Sequence, residues 1–274
     1  MHDPNITGEI QRVELMMLAT TTCLDRYWAD ELGCHPDDLL RDRVTVVAPA
    51  HRATPRWMGW QVPLDCIVRV GSTADSGVIS VIPPLGEHLC NFLDPQRPGR
   101  CYLPPRGQEL TPFINRHLPY SAPKYHCILH CDTLNFCPHR PTYPVEELHA
   151  DDIHYSWYRH HFDGQIFVAR DERGRIISWS AIKLKSAQVW EMAVVTEEPY
   201  RGMGLAKSVV SAATRATLAA GKTPIYLHDI TNTASARVCR ALGYQLYGHQ
   251  LICENGRVDP SQANGERVGC CGKR

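Results

Sequence analysis

No stretch of the 274-residue sequence approaches the roughly 20 consecutive apolar residues that a membrane-spanning helix needs. The opening Met1-His2-Asp3-Pro4 has neither the basic cluster nor the apolar segment of a secretory signal. Net charge is missing too: 29 Lys and Arg balance 29 Asp and Glu, so nothing in the balance points to nucleic acid or to an anionic membrane surface. The expectation is a soluble cytoplasmic protein with neither nucleic acid nor membrane as partner. No internal repeat is visible. Asn5-Ile6-Thr7 has the form of a glycosylation acceptor, but without a secretory signal it reads as a chance match.

Paired CxxC knuckles are also absent. The 12 cysteines are scattered, and without an export signal most are expected to be reduced core residues. The densest cluster, His126-Cys127-Ile128-Leu129-His130-Cys131 followed by Cys137 and His139, lacks zinc-site spacing. Its first six residues alternate like a half-buried strand, which sends neighbouring side chains to opposite faces. No metal is expected there. Cys270 and Cys271 fall in a Gly- and charge-rich tail and read as exposed thiols.

What is present centres on Tyr200-Arg201-Gly202-Met203-Gly204-Leu205-Ala206-Lys207. Before it, Val189-Trp190-Glu191-Met192-Ala193-Val194-Val195 is rich in β-branched residues and ends at Glu198-Pro199, which predicts a buried strand and a turn. After it, Leu205, Val209, Ala212, Ala213, Ala216 and Ala220 recur at helical spacing, with Gly221 as a stop. Glycines in a strand-to-helix turn let the backbone close on an anion. The first N–H groups of the helix, which have no intrahelical partner, face that anion, and Arg201 and Lys207 add charge. Two other phosphate loops do not fit. The dinucleotide fingerprint needs Gly or Ala at 207, which is Lys, and the P-loop needs glycines where Arg201 and Ala206 stand.

Arg-x-x-Gly-x-Ala, from Arg201 to Ala206, resembles the acetyl-CoA pyrophosphate loop of the GNAT superfamily of N-acetyltransferases. Asn232-Thr233-Ala234-Ser235-Ala236-Arg237-Val238-Cys239-Arg240-Ala241-Leu242-Gly243-Tyr244 resembles the family's second motif, an Asn-started helix ending in Leu-Gly-Phe/Tyr. The resemblance covers about the last half of the chain. It implies an α+β fold, a mixed and mostly antiparallel sheet flanked by helices, and acetyl-CoA as co-substrate.

Around this centre the pattern predicts a helix over 13–32 with Met17, Leu24, Trp28 and Leu32 on its core face, a turn into a short helix near Pro36–Leu40, and strands at Val44–Val47, Cys66–Val70 and Val78–Ile82. These suggest a smaller N-terminal α+β subdomain, with a degenerate GNAT half left open as its origin. Seven prolines in Pro95–Pro123 disfavour helix interior and central strand, so the expected division is residues 1–122, a GNAT domain over 123–256, and a flexible tail over 257–274. Within the second unit the expected order is a strand at Tyr125–His130, helical segments in Val145–Phe162, and strands at Gln165–Ala169, Arg175–Leu184 and Val189–Val195. The loop helix follows, then a strand at Pro224–His228, the Asn232 helix ending at Gly243, and a strand at Tyr244–Cys253.

The chemistry the resemblance implies is direct transfer of an acetyl group to the amine of a small-molecule or amino-acid-like acceptor. Backbone N–H groups of Val194, Val195 and Thr196, where the central strand splays from its neighbour, would polarise the carbonyl. The cofactor-binding set is completed by Arg201, Gly202, Met203, Gly204, Leu205, Ala206, Lys207 and Asn232, the last also a natural N-cap. Glu191 is the first candidate base; the alternatives are His228 and Asp229, then His154, His160 and His161. The tyrosine often found seven residues after the family's Asn is replaced by Cys239. That leaves Cys239 as candidate acid, or water or Tyr244 in its place. A non-catalytic acyl-CoA-binding or partner-binding module is the alternative function. Acceptor and oligomeric state stay open.

Overall fold

The computed structural model describes residues 4–49, 64–70, 76–93, 110–119, 123–141 and 143–253, with the side chains of 4–14, 16 and 17 left aside. Cys270, Cys271, the 257–274 tail, Met17's side chain and much of the Pro95–Pro123 segment therefore lie outside the described residues.

Among the described residues, ten strands form one mixed sheet: β1 (Val44–Val47), β2 (Leu64–Arg69), β3 (Gly77–Val81), β4 (Pro123–His130), β5 (Glu146–Glu147), β6 (Ile166–Arg170), β7 (Ile176–Leu184), β8 (Val189–Thr196), β9 (Thr223–Asp229) and β10 (Gln245–Cys253). Their spatial order is β1-β3-β2-β10-β4-β9-β8-β7-β6-β5. The helices are α1 (Pro4–Leu32), α2 (Pro83–Phe92), α3 (Thr111–His117), α4 (Tyr155–His161), α5 (Leu205–Ala219) and α6 (Thr233–Ala241).

Alternation along the strands sorts the helices onto two faces. Leu24, Trp28 and Leu32 of α1 pack on Ile67, Val78, Ile128, Val189 and Ile225, and α4 covers Ile166, Val168 and Ala181 on the same face. The opposite face carries α5 and α6, where Val210, Ala213, Cys239 and Leu242 meet Leu129, Ile182, Met192 and Tyr226. Each fully buried Val or Leu in these layers contributes about 1.5–3 kcal/mol. At the β2 end, α2 and α3 pack through Leu85, Leu89, Phe113 and Ile114 on Cys66, Ile79 and Leu251.

The first 122 residues and the rest share this sheet. β2 pairs antiparallel with β10 from Leu64 opposite Cys253 to Arg69 opposite Gly248, and α1 packs on β4, β8 and β9 as well as on β2 and β3. A division at position 122 falls inside one sheet. β4, the strand that follows this position, lies between β9 and β10 and pairs antiparallel with both.

Three local expectations need correction. The proline-rich segment does contain a helix, α3, because Pro112 occupies its first turn, where no N–H bond is lost. In 145–162 only Tyr155–His161 is helical, and Glu146-Glu147 adds a short edge strand to β6. α1 begins earlier than the expected Val13, at Pro4. Among the described residues no helix is long and apolar enough to cross a membrane. No group of three or more His, Cys, Asp or Glu is placed there to hold a metal ion.

Candidate active site

Strands β8 and β9 run parallel and share three register pairs, ending with Glu191 opposite Ile225. Beyond that pair the strands separate, while β8 continues along β7 as far as Thr196 opposite Ser178. Glu197 N donates to Ile177 O, and Ser178 Oγ donates to Val195 O at 3.0 Å. Odd-numbered residues of β8 therefore turn their peptide groups toward β7, and Val194 and Thr196 turn theirs toward the gap. Val195, expected beside them as a donor, spends its peptide group on β7.

The chain leaving β8 turns through a short helical turn at Glu198–Tyr200 and enters α5. Gly202 and Gly204 adopt φ of 82° and 84°, values that cost a side-chain-bearing residue about 1–2 kcal/mol. Gly204 is the N-cap of α5, and among the described residues no side chain caps that helix. The free N–H groups of its first turn, with the positive end of its dipole, face the cleft.

The cleft holds about 700 Å³ and opens on the α5/α6 face. It brings together Val194, Val195, Thr196, Arg201, Gly202, Gly204, Leu205, Ala206, Lys207 and Asn232 of the sequence-derived set. Met203 is exposed in the loop and does not line it. Asn232 Oδ1 accepts from Ser235 N at 3.0 Å, capping α6 while the residue lines the cleft. Tyr200, Tyr226, Ser235 and Arg237 also line it and were not singled out in the sequence. Arg237 was readable, being one turn beyond Ala234 on the face of α6 that contributes Val238. Tyr226 was not, since its place depends on strand register. Its hydroxyl donates to Ser235 Oγ at 3.4 Å, and burial pushes its phenol well above the ordinary value.

Neither catalytic candidate taken from the sequence lies in this cleft. Glu191 sits on the α1 side of the sheet, buried between two lysines: Lys183 Nζ donates to its Oε1 at 3.0 Å, and Lys185 Nζ lies 3.5 Å from its Oε2. Burial alone would raise its carboxyl, but the two ammonium groups outweigh that and hold it below the ordinary value. A carboxylate so paired is a poor proton acceptor. Cys239 is fully buried among Tyr226, Leu242 and Tyr244, and burial pushes its thiol well up. It is a packing residue. Tyr244 is committed to Thr214, their hydroxyls 2.7 Å apart in the core. Of the weaker candidates, His228 faces the α6 side with Nδ1 2.8 Å from Asp229 O, and His154, His160 and His161 belong to the α4 segment.

A family model described as FR47-like protein matches residues 168–253. That span holds the β8–loop–α5 unit, the gap and the Asn232 helix. Over those residues the chain is similar to the FR47-like family. Solved structures similar to the chain include a GNAT-family acetyltransferase from Colwellia psychrerythraea (13% identity, 55% of this chain, 62% of that one, TM-score 0.40). Two others are a GCN5-related N-acetyltransferase from Kribbella flavida (15%, 57% and 67%, TM-score 0.42) and a GCN5-related N-acetyltransferase-like protein from Streptococcus suis (16%, 64% and 78%, TM-score 0.42). The chain spans less than two thirds of the Colwellia protein's length. No curated protein matches the sequence. The cleft has the parts that a ligand with an extended arm and a phosphate-bearing tail requires.

Proposed function

We propose that the protein is an acetyl-CoA-dependent N-acetyltransferase acting by direct transfer on the amine of a small or amino-acid-like molecule. One observation carries this reading: the uncapped N-terminus of α5, with two left-handed glycines in its loop, opens into the same cleft as the gap between β8 and β9. Phosphate and thioester sites are thereby fixed relative to each other by one strand, one turn and one helix.

The fit is chemical as well as spatial. The α5 N–H groups, Arg201 and Lys207 form an anion cradle, and Asn232 faces it from α6. The cradle suits a pyrophosphate, and the gap beyond it is a slot for an extended arm. Acetyl-CoA held there supplies a thioester carbonyl. The Val194 and Thr196 N–H groups stand in the gap as fixed donors for the oxygen on which charge develops. Tyr226, whose phenol is a weaker acid than a CoA thiol, stays protonated, and its hydroxyl turns from Ser235 Oγ to donate a hydrogen bond to the departing thiolate. Acetyl-CoA held in the cleft fills the α5/α6 side of the gap, so the amine approaches from the α1/α4 face.

A second reading, a CoA-binding module without turnover, is favoured by the locked Glu191 and the buried Cys239. Calorimetric titration of acetyl-CoA and CoA, followed by thiol release against a panel of amines, separates the two. Binding with amine-dependent release is expected. Binding without release across the panel favours the module, and absence of binding removes both readings.

A further inference from the structure

On the α1/α4 face, opposite the anion cradle, three side chains of three adjacent strands stand in line. His126 of β4 is directly opposite Asp229 of β9 and directly opposite Gln250 of β10, and residues so paired share a face. Gln250 is in turn opposite Ile67 of β2, which packs under α1 together with Ile128, two residues from His126. Val189 packs in the same cluster, so alternation puts Val195 on this face too. Val195 lies four residues beyond Glu191 and Asp229 four beyond Ile225, the partners at the end of the β8–β9 ladder. His126, Asp229 and Val195 thus form one row across the mouth of the gap. His126 stands one strand, about 4.8 Å, away from it.

The hydrogen bonds around His126 fix its tautomer. Gln250 Nε2 donates to both carboxylate oxygens of buried Asp65, at 2.9 and 3.1 Å. Both carboxyl oxygens accept from that nitrogen, so the amide nitrogen of Gln250 is committed to Asp65 and its oxygen faces His126. His126 Nδ1 lies 3.4 Å from that oxygen. An amide oxygen also only accepts, so Nδ1 carries the hydrogen and Nε2 of the neutral ring carries the lone pair. The chain Asp65–Gln250–His126 therefore holds a half-buried imidazole with its basic nitrogen defined, beside the place where an amine meets the carbonyl.

We infer that His126 is the proton acceptor of the transferase, with Gln250 and Asp65 as positioning residues; this rests on the reading above. In the step assigned to it, Nε2 takes one proton from the substrate ammonium, directly or through one water, and frees the nitrogen lone pair. The amine then forms the new C–N bond as the C–S bond breaks. The second N–H proton leaves the product nitrogen and neutralises the thiolate, so that amide, CoA thiol and one proton carried by His126 result. Asp229, held ionised mainly by hydrogen bonds from Thr231 and then by His126 and His228 nearby, is an anion in the same row that attracts the ammonium. The acidic groups facing His126 are Asp229 across β4/β9 and Asp65 through Gln250.

Two measurements on the full chain test this. In the wild-type protein, long-range ¹H–¹⁵N NMR of the histidine rings is expected to find neutral His126 as the Nδ1–H tautomer; an Nε2–H tautomer overturns the inference. His126→Gln is expected to lower kcat about a hundredfold or more and to abolish the acidic limb of the pH–rate profile, while calorimetric affinity for acetyl-CoA is unchanged. Gln250→Met is expected to keep that limb but shift its midpoint. A His126→Gln variant with wild-type kcat and limb overturns the inference. If acetyl-CoA binds and no amine turns over, the proton acceptor is overturned while the cleft reading stands. If acetyl-CoA does not bind the wild type, the reading of the cleft itself fails.

Discussion

Glu191 and Ile225 form the last register pair that β8 and β9 share, and the cleft begins where it ends. Strand residues after Glu191 serve two partners in alternation: β7 takes the odd-numbered peptide groups, and the gap receives those of Val194 and Thr196. The same position fixes Glu191 as a structural anchor. Its side chain is buried on the α1 side, held by Lys183 opposite it on β7 and by Lys185 at the end of that strand.

Glu191→Gln is accordingly expected to destabilise the fold by about 1.5–3 kcal/mol, because it removes the charge that binds both Lys183 and Lys185 to the buried end of β8. The refolded fraction is expected to keep its acetyl-CoA affinity. Thermal melts and calorimetry on the same samples check both halves. A variant of wild-type stability that has lost turnover would return the base role to Glu191.

The ion pair also has a pH signature. The folded-state pKa of Glu191 is depressed, so the unfolded chain binds the proton more tightly. The pair's contribution is fully present above the unfolded glutamate value of about 4.3 and disappears as pH falls through the lower folded value. Urea midpoints are expected to drop between about pH 5 and pH 3, and the drop is expected to be smaller in Glu191→Gln. Parallel pH dependence in the two proteins would contradict the pairing.

What could be read in advance was local. The Arg201–Ala206 loop, the stop at Gly221 and the Asn232 cap are written within a dozen residues each, because positive φ and capping are properties of neighbours. Which face Glu191 occupies is not local: it follows from the unbroken β7–β8 register and from the α1 layer, formed by residues over 150 positions away. The place of β4 between β9 and β10, and of β2 beyond β10, likewise rests on pairings across more than 90 residues that no alternation pattern specifies. Tyr226 escaped notice as a cleft residue for this reason, and His126 was weighed only as a metal ligand. Cys239 was selected because it stands where a motif usually has tyrosine, and its burial under α5 decided otherwise.

Cys239→Ala is expected to cost about 1 kcal/mol, the scale of one deleted core group, and to leave kcat unchanged. In native protein the Cys239 thiol is expected to resist alkylation while exposed Cys90 and Cys137 react, as peptide mass mapping after timed labelling would reveal. Rapid native labelling of Cys239, or a large loss of kcat in the alanine variant, would contradict a pure packing role.

Gly204→Glu addresses the cradle. A side chain at φ 84° strains the loop, and a carboxylate at the N-terminus of α5 occupies the anion's place. Acetyl-CoA affinity is expected to fall at least tenfold, with circular dichroism unchanged. Unaltered affinity would remove the loop from the binding site.

Asn232 separates capping from ligand contact. Its Oδ1 accepts from Ser235 N, which uses only the carbonyl side of the amide. Asp caps a helix about as well as Asn, so Asn232→Asp is expected to preserve thermal stability within about 0.5 kcal/mol. The same change removes the amide N–H donors and adds negative charge to a cleft that already holds Arg201 and Lys207 for an anion. Acetyl-CoA affinity is therefore expected to fall about tenfold at low salt, and less at high salt as the added charge is screened. Asn232→Ala gives the complement, a stability loss of about 1 kcal/mol with a weaker effect on binding than the aspartate. If Asn232→Asp binds acetyl-CoA as the wild type does, the residue serves α6 alone, and the wall of the cleft opposite α5 must be supplied by Ser235 and Arg237.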